Sequence, residues 1–514
     1  MKRLFLVFGI SLVILMVLIP ATGNAQPKKG GTLTIGLPAD FDNVDPHKTI
    51  IMVQGQTLSL ACENLITSQK DFSPGPGLAE SWNVSSDAKV WTFNLRKGVK
   101  FHNGKEMTAK DVKWNFDRMM DPKIGSGMRG RLLNVETIEI VDKYTIRFKL
   151  KNPQSSLLSV FYGGSIQSPI VAPESVKPDG SITHPIGTGP FEFMEWDVHN
   201  YARFKKFKDY WNKGLPHIDQ VIVKIITDPI ARMTGLRTGE IDIVPMIPIE
   251  QVADIAGKPQ KGFSVGLLKM AGGCYFNFNT AKPPFNDIRV RQAVAWGINK
   301  KEIELAVCRG FGQTVNQPFP KDSIWYCDIP DRSQDIAKAK ALLKEAGYAK
   351  GVEVTLVTNN RYTDHLLSAE ALQAQLAEIG IQAKMEITDF ATMIARWRKG
   401  DFQMGSGSLA PVPDPDAYYP MALLKTGAYS AFSGYYDNPE VTKFLLEGSK
   451  IIKNEERKKA YAQAMKIVVN EVPYIYHTLP ALAYGVRERV RGFEPSFSFF
   501  FNYAGGGVQY LWLE

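Results

Sequence analysis

DIAKAKALLKEAGYAKGVEVTLVTNNRYTDHLLSAEALQAQLAEIGIQAKMEI, residues 335–387, decides the fold class. DIAKAKALLKEAGYAKG has helical spacing and a stop at Gly347, and VEVTLVT is an apolar run of strand length. TDHLLSAEALQAQLAEIG is a second helix, stopped at Gly380, and IQAKMEI a second strand. FATMIARWRKG and DFQMGSGSLA carry the alternation one step further. Strands alternating with helices pair in parallel through right-handed crossovers, so this half of the chain is an α/β sheet. In such a sheet ligands bind beyond the carboxyl ends of the strands. Asn359, Asn360, Arg361 and Tyr362 stand just past VEVTLVT, and GSGSLAPVPDPD, Gly405 to Asp416, stands at the equivalent end of its own strand. Small residues there, Ser406 and Ser408 among them, let a ligand approach the backbone, while Pro411, Pro413 and Pro415 stiffen the loop. Arg361 and this loop are expected to face one cleft.

Toward the N-terminus the pattern changes to strand pairs. GGTLTIG opens a strand over 32–37, VWTFNLR alternates as a half-buried strand, TAKDVKWNFDRM is a helix capped by Thr108, and KYTIRFKL (143–150) is another strand. PIGTGPFEFMEW, Pro185 to Trp196, makes a sharp turn into a strand and marks a domain junction. IDQVIVKII (218–226) is a strand, and DPIARMTGLRTGEIDIVPMI is a helix leading into a further one. CYFNFNT then crosses into PFNDIRVRQAVAWGINKKEIELAV, expected as one long helix capped by Asn286.

The chain of 514 residues opens MKRLFLVFGISLVILMVLIPATGNAQ, where Lys2 and Arg3 precede an apolar run. Pro20 and small residues follow, with Gly23 and Ala25 at the positions a signal peptidase reads. Cleavage after Ala25 is expected, and no cysteine lies nearby to carry a lipid. The remainder is long enough for two or three domains without covalent staples. Its positive charge, +9 before the two basic residues of the signal are removed, is spread without basic blocks. That is a solvated surface rather than a nucleic-acid footprint. Four cysteines form no C-x-x-C pair, and seven histidines show no ligand spacing, so no metal or other cofactor is expected. Cys308 ends the expected long helix, and Cys327 follows a loop of 18 residues rich in Gly, Pro and Asn. In an exported protein this pair is expected to be bridged, with Cys62 and Cys274 left as buried thiols.

LAESWNVSSDAKVWTFNLRKGVKFHNGKEMTAKDVKWNFDRM, PIGTGPF, PPFNDIRVRQAVAWGINKKEI and AKALLKEAGYAKG occur in an order and spacing that resemble the extracellular solute-binding proteins of family 5, which serve peptide, nickel and opine ABC importers. The resemblance implies an α/β, two-lobed periplasmic binding protein fold of type II, cluster C-like, with a subdomain inserted in the first lobe. On that pattern lobe I comprises 26–62, 189–273 and 482–514, the inserted subdomain 63–188, and lobe II 274–481. It further implies a monomeric periplasmic receptor that closes on a small solute and delivers it to a permease and ATPase. In dipeptide-binding members an arginine after this strand holds the ligand carboxylate, a place that NNRY fills with Arg361 and Tyr362. The aspartate that holds a peptide's amino terminus would fall within Leu409 to Pro413, where no acid occurs, and Asp414 is the nearest. An acid without a free ammonium is therefore the expected solute.

Arginine suits an anion clamp because its planar fork makes paired hydrogen bonds. The plain alternatives are a solvated side chain or an ion pair with Asp364. Tyr275, Phe432 and Tyr435 are candidates for the apolar walls, or for core. No catalytic motif appears: GSGSL fails the G-x-S-x-G pattern because Leu409 follows its second serine. A secreted enzyme is thus the weaker rival, and a sensor or chaperone that presents its ligand to a membrane receptor is the other alternative.

Overall fold

The computed structural model describes residues 27–48, 52–69, 73–162, 168–258, 260–269, 272–409, 412–494, 501–503 and 506–514; the signal segment and its cleavage after Ala25 lie outside the described residues. Three sheets of four or more strands arise from these residues, beside small two-stranded pairs. A seven-stranded sheet orders Phe263–Lys269, Ala481–Arg487, Ile243–Ile247, Thr32–Leu37, Gln220–Ile225, Tyr201–Lys206 and Phe191–Asp197. Thr32–Leu37 pairs in parallel with Gln220–Ile225 and with Ile243–Ile247, while the other pairs are antiparallel. This is the first lobe.

Between its strands Thr32–Leu37 and Phe191–Asp197 the chain inserts a subdomain with a four-stranded antiparallel sheet, Ala79–Val84, Val90–Leu95, Thr145–Leu150 and Val135–Asp142. Alternate residues of VWTFNL are buried, as the period-2 pattern requires. Helix Ala109–Met120 covers that face, its N-terminus held by Asp111, whose carboxylate accepts the Thr108 backbone N–H at 2.8 Å. Phe93, Phe116, Phe148 and Phe161 pack against one another in this core, mostly edge to face. The subdomain is tied back to the first lobe by PIGTGPF. The His102 backbone N–H donates to Gly187 O at 2.8 Å, and its ring Nε2 meets Gly189 O at 3.0 Å. A Cβ on Gly187 would lie 1.9 Å from Ala61 O, and one on Gly189 2.6 Å from Leu60 O. The motif needs glycine because two stretches of backbone touch there.

The second lobe is a six-stranded sheet ordered Gln313–Thr314, Tyr474–Leu479, Gly273–Phe278, Met404–Leu409, Val352–Asn359 and Ile381–Thr388. Val352–Asn359 is parallel to both of its neighbours, as the strand and helix alternation predicts. Gly347 and Gly380 end their helices with φ of 91° and 92°. The expected long helix is two: Ile288–Gly297 and Lys300–Cys308. Asn299 breaks it, because its side chain accepts the N–H groups of Lys301 and Glu302 and starts a new helix. Asp287, rather than Asn286, caps the first, accepting the Arg289 N–H.

Cys308 and Cys327 are not bridged. All four cysteines are free and buried, with Cys308 in the core that holds Phe276 and Val294 and Cys327 in a separate core with Trp325 and Tyr419. Gln317 clamps Cys327, accepting its N–H at 3.0 Å and donating to its carbonyl at 2.5 Å. The loop between them folds into two cores instead of closing on itself.

Two crossings connect the lobes. Lys269 leads toward Gly273, and Leu479 leads to Ala481. In the second sheet Leu409 pairs with Gly273 and Thr478 with Cys274, so the carboxyl ends of its parallel strands lie at the crossing. In the first sheet Ile247 pairs with Ala483 and Lys269 with Ala481. The strand ends of the two sheets therefore face each other across the hinge, where α/β sheets place ligands.

Candidate functional site

Arg361 sits on the loop between strand Val352–Asn359 and helix Thr363–Glu378. The loop is shaped by Asn359, fully buried, whose Oδ1 accepts the backbone N–H groups of Arg361 at 3.1 Å and Tyr362 at 3.2 Å. Its Nδ2 lies 2.7 Å from His365 Nδ1, and His365 Nε2 lies 2.7 Å from Ser408 Oγ. Burial lowers the His365 pKa, which keeps the ring neutral, with Nδ1 accepting and Nε2 donating. A chain of hydrogen bonds thus fastens the Arg361 loop to the end of strand Met404–Leu409.

The Arg361 side chain is exposed, its guanidinium carbon 5.6 Å from the Tyr362 ring centre and 6.0 Å from that of Phe390. Among the described residues the guanidinium makes no hydrogen bond or ion pair. Asp364 is engaged elsewhere, accepting from Cys274 Sγ at 3.4 Å. Asn360 and Tyr362 are exposed beside it.

The other expected site residues divide. Ser408 is exposed at the strand end, and Tyr435 is half exposed with φ of 59°. Ser406 is fully buried, donating to His365 O and meeting Ser368 Oγ, so its hydroxyl serves the helix behind it. Tyr275 is core, edge-on to Tyr474 at 5.4 Å. Phe432 is buried between Tyr429 and Trp397. The glycines of GSGSL make room for protein: a Cβ on Gly405 would lie 2.5 Å from Trp397, and one on Gly407 3.0 Å from Trp397 and 3.1 Å from Tyr275.

Asp414 is spent on an internal pair. Both of its oxygens accept from Arg457, at 2.6 and 2.7 Å, and the arginine side chain is only 2% exposed. Asp416 shares that guanidinium at 3.2 Å and accepts from Tyr461 Oη at 2.5 Å. Burial and the neighbouring Asp414 carboxylate push Asp416 up to about 6. This knot lies where the subdomain meets the second lobe: the Ser155 N–H donates to Ser449 O at 2.9 Å, and Ser156 hydrogen-bonds Asp416.

Beside the knot is a cavity of about 840 Å³ between subdomain and second lobe. Trp82, Trp91 and Tyr162 line it from the subdomain, and Phe319 and Trp325 from the second lobe. Asp414 and Arg457 form part of its floor. Sequence reasoning missed these walls. VWTFNL showed a buried face, but nothing local told that its Trp91, with Trp82 of the neighbouring strand, would meet another body of the fold. Among the described residues no group of three His, Cys, Asp or Glu side chains comes together to hold a metal, and no helix is long and apolar enough to cross a membrane.

Two sheets with strand ends facing across a double crossover, a guanidinium on one edge without a partner among the described residues, and an aromatic chamber between subdomain and second lobe define a protein that holds a small molecule between lobes. The model for bacterial extracellular solute-binding proteins, family 5 Middle, matches residues 73–430, and the chain belongs to that family. It is 32% identical to heme-binding protein A of Haemophilus influenzae over 462 residues, 83% of each chain. It is 27% identical to the glutathione-binding protein GsiB of Salmonella choleraesuis over 471 residues, 90% of this chain and 91% of that one. Among solved structures, the PBP AgaA in complex with agropinic acid, from A. tumefacien R10, shares 29% identity at a TM-score of 0.76, covering 94% of this chain and 99% of the other.

Proposed function

We propose that the chain is the exported receptor of an ABC importer and captures a small acidic solute at Arg361. One observation carries this reading: an exposed guanidinium without a partner among the described residues, set by the Asn359, His365 and Ser408 chain on the sheet edge that faces the other lobe. The N-terminus of helix Thr363–Glu378 adds unpaired backbone donors and a positive dipole end beside it. An acid that touches both lobes favours the closed state by its differential affinity, and the partner ATPase supplies the energy of transport. The ligands named for two relatives, glutathione and agropinic acid, fit an acidic solute.

The lobes are divided as 26–62, 189–273 and 482–514 against 274–481, with 63–188 inserted. The signal is cleaved after Ala25, and the mature protein is a periplasmic, unlipidated monomer without catalytic activity of its own. Asn360, Tyr362, Ser408 and Tyr435 accompany Arg361 in contact with solute. The test is native mass spectrometry to identify the retained solute, then calorimetry with wild type and Arg361→Ala. Loss of about 2–5 kcal/mol, the range for truncating one partner of a buried charge pair, is expected. Equal binding, or a neutral or cationic solute, would refute the clamp. Ligand-stimulated uptake in membrane vesicles separates an importer receptor from a sensor.

A further inference from the structure

We propose that the cavity between the inserted subdomain and the second lobe receives the body of the solute and selects an uncharged aromatic group, so that the ligand class is an aromatic acid with a capped or absent amine. The inference rests on the acidic-solute reading above and narrows it. Four observations support it.

The walls are aromatic from both bodies: Trp82 and Trp91 of one sheet, Tyr162 of a helix that follows, and Phe319 and Trp325 across the gap. Aromatic walls on two sides favour an aromatic group over a branched chain. At about 840 Å³ the space suits a ligand of drug size rather than a single small anion.

The charges of the floor are already used. Arg457 gives its fork to Asp414, touches Asp416, and lies 4.7 Å over Trp325. Both Asp414 oxygens are occupied, and Asp416 is held by Tyr461 and Arg457. A buried ammonium would have to compete with Arg457 and Tyr461 for Asp414 and Asp416, and a second anion would meet two carboxylates against one guanidinium. Asp322 is exposed and at the rim, where water screens it. A neutral group enters without such a penalty.

The chamber and the clamp are close along the chain. Val412 and Pro413, which line the cavity, follow shortly after Ser408, the residue that anchors His365 and through it the Arg361 loop. The wall is also completed across the gap, since Ser155 of the subdomain bonds Ser449 of the second lobe at 2.9 Å. Trp82 and Trp91 therefore line the same cavity as Trp325, from the opposite body.

The experiment uses the full chain labelled with 5-fluorotryptophan, which has nine tryptophans, and three probes: N-acetylphenylalanylphenylalanine, N-acetylalanylalanine, and the C-terminal amide of the first. The aromatic acid should bind at least tenfold tighter than the alanine acid and move the fluorine resonances of Trp82, Trp91 and Trp325, leaving Trp296 and Trp512 in place. Trp82→Ala should weaken the aromatic acid at least fivefold and the alanine acid less than twofold. Ile324→Trp, at a mouth position 45% exposed, should do the same by obstruction without disturbing the core. Equal affinity of the two acids, or no movement of the three resonances with any probe, overturns the inference. If the amide binds as tightly as its acid and moves the same resonances, the chamber stands and the acid clamp fails. If the acids bind in an Arg361-dependent way without moving those resonances, the clamp stands and the chamber fails.

Discussion

Replacing Arg457 by methionine should be among the most damaging single changes in the second lobe, and the effect should depend on pH. The side chain is 2% exposed, pairs with Asp414 at 2.6 and 2.7 Å and with Asp416 at 3.2 Å, and covers Trp325 at 4.7 Å. Methionine fills much of the volume but leaves two buried carboxylates without a counter-ion. Removing one partner of a buried pair costs about 3–5 kcal/mol, and the lost stacking adds about 1 kcal/mol. Asp416 already stands at about 6 with the arginine present, so without it that carboxyl rises further. Carboxyls raised in the folded state bind more protons there than in the unfolded chain, so their penalty shrinks as pH falls through the folded value. Each pH unit within that window returns about 1.4 kcal/mol per proton taken up. The variant's deficit should therefore be largest at pH 8 and smaller by about 1–3 kcal/mol at pH 5. Urea unfolding of both proteins at the two pH values measures it, and Asp414→Asn added to Arg457→Met should recover part of the loss. A deficit under about 1 kcal/mol at pH 8, or one that grows on acidification, would refute the account of the knot.

Arg361→Lys should bind the solute more weakly than wild type but better than Arg361→Ala, because the charge remains while the paired geometry is lost; calorimetry on the three proteins ranks them. Gly187→Ala should lose at least about 2 kcal/mol in thermal or urea unfolding, since its Cβ would stand 1.9 Å from Ala61 O, a backbone atom that cannot swing aside. Cys308 and Cys327 should be recovered unlinked by peptide mapping without reduction and should react with iodoacetamide only after unfolding; burial raises both thiols, to about 12 and about 11. His47, His102 and His477 are held neutral by burial, at about 4, 4 and 3. The unfolded chain therefore binds more protons below about pH 6.5, and wild-type stability should fall from there toward pH 4, with Asp416 opposing the trend below about 6. Urea midpoints across that range give the sign, and a rising midpoint would refute it.

Local chemistry was enough for much of this molecule. Hydrophobic period, helix stops at Gly347 and Gly380, and alternation across residues 335–387 settle the α/β character, because each is an interaction between residues a few positions apart. The place of Arg361 at a strand's carboxyl end follows from the same alternation. What a side chain does once two distant segments meet does not follow. Ser406 and Asp414 have the chemistry of ligand contacts, yet Ser406 turns to His365 and Asp414 to Arg457, partners 41 and 43 positions away. The glycines of GSGSL look like space for a ligand, and Trp397 occupies it. Cys308 and Cys327 are near in sequence, but packing sends each to a different core. The expected long helix breaks at a local signal, since Asn299 starts a helix rather than continuing one. Sequence by itself determines which elements form and where strand ends lie, because those depend on short-range periodicity and capping. Only the tertiary structure decides which polar groups are consumed, which aromatic rings line a chamber and whether Arg361 is paired, because desolvation and pairing are settled between parts of the chain that have no local signal in common.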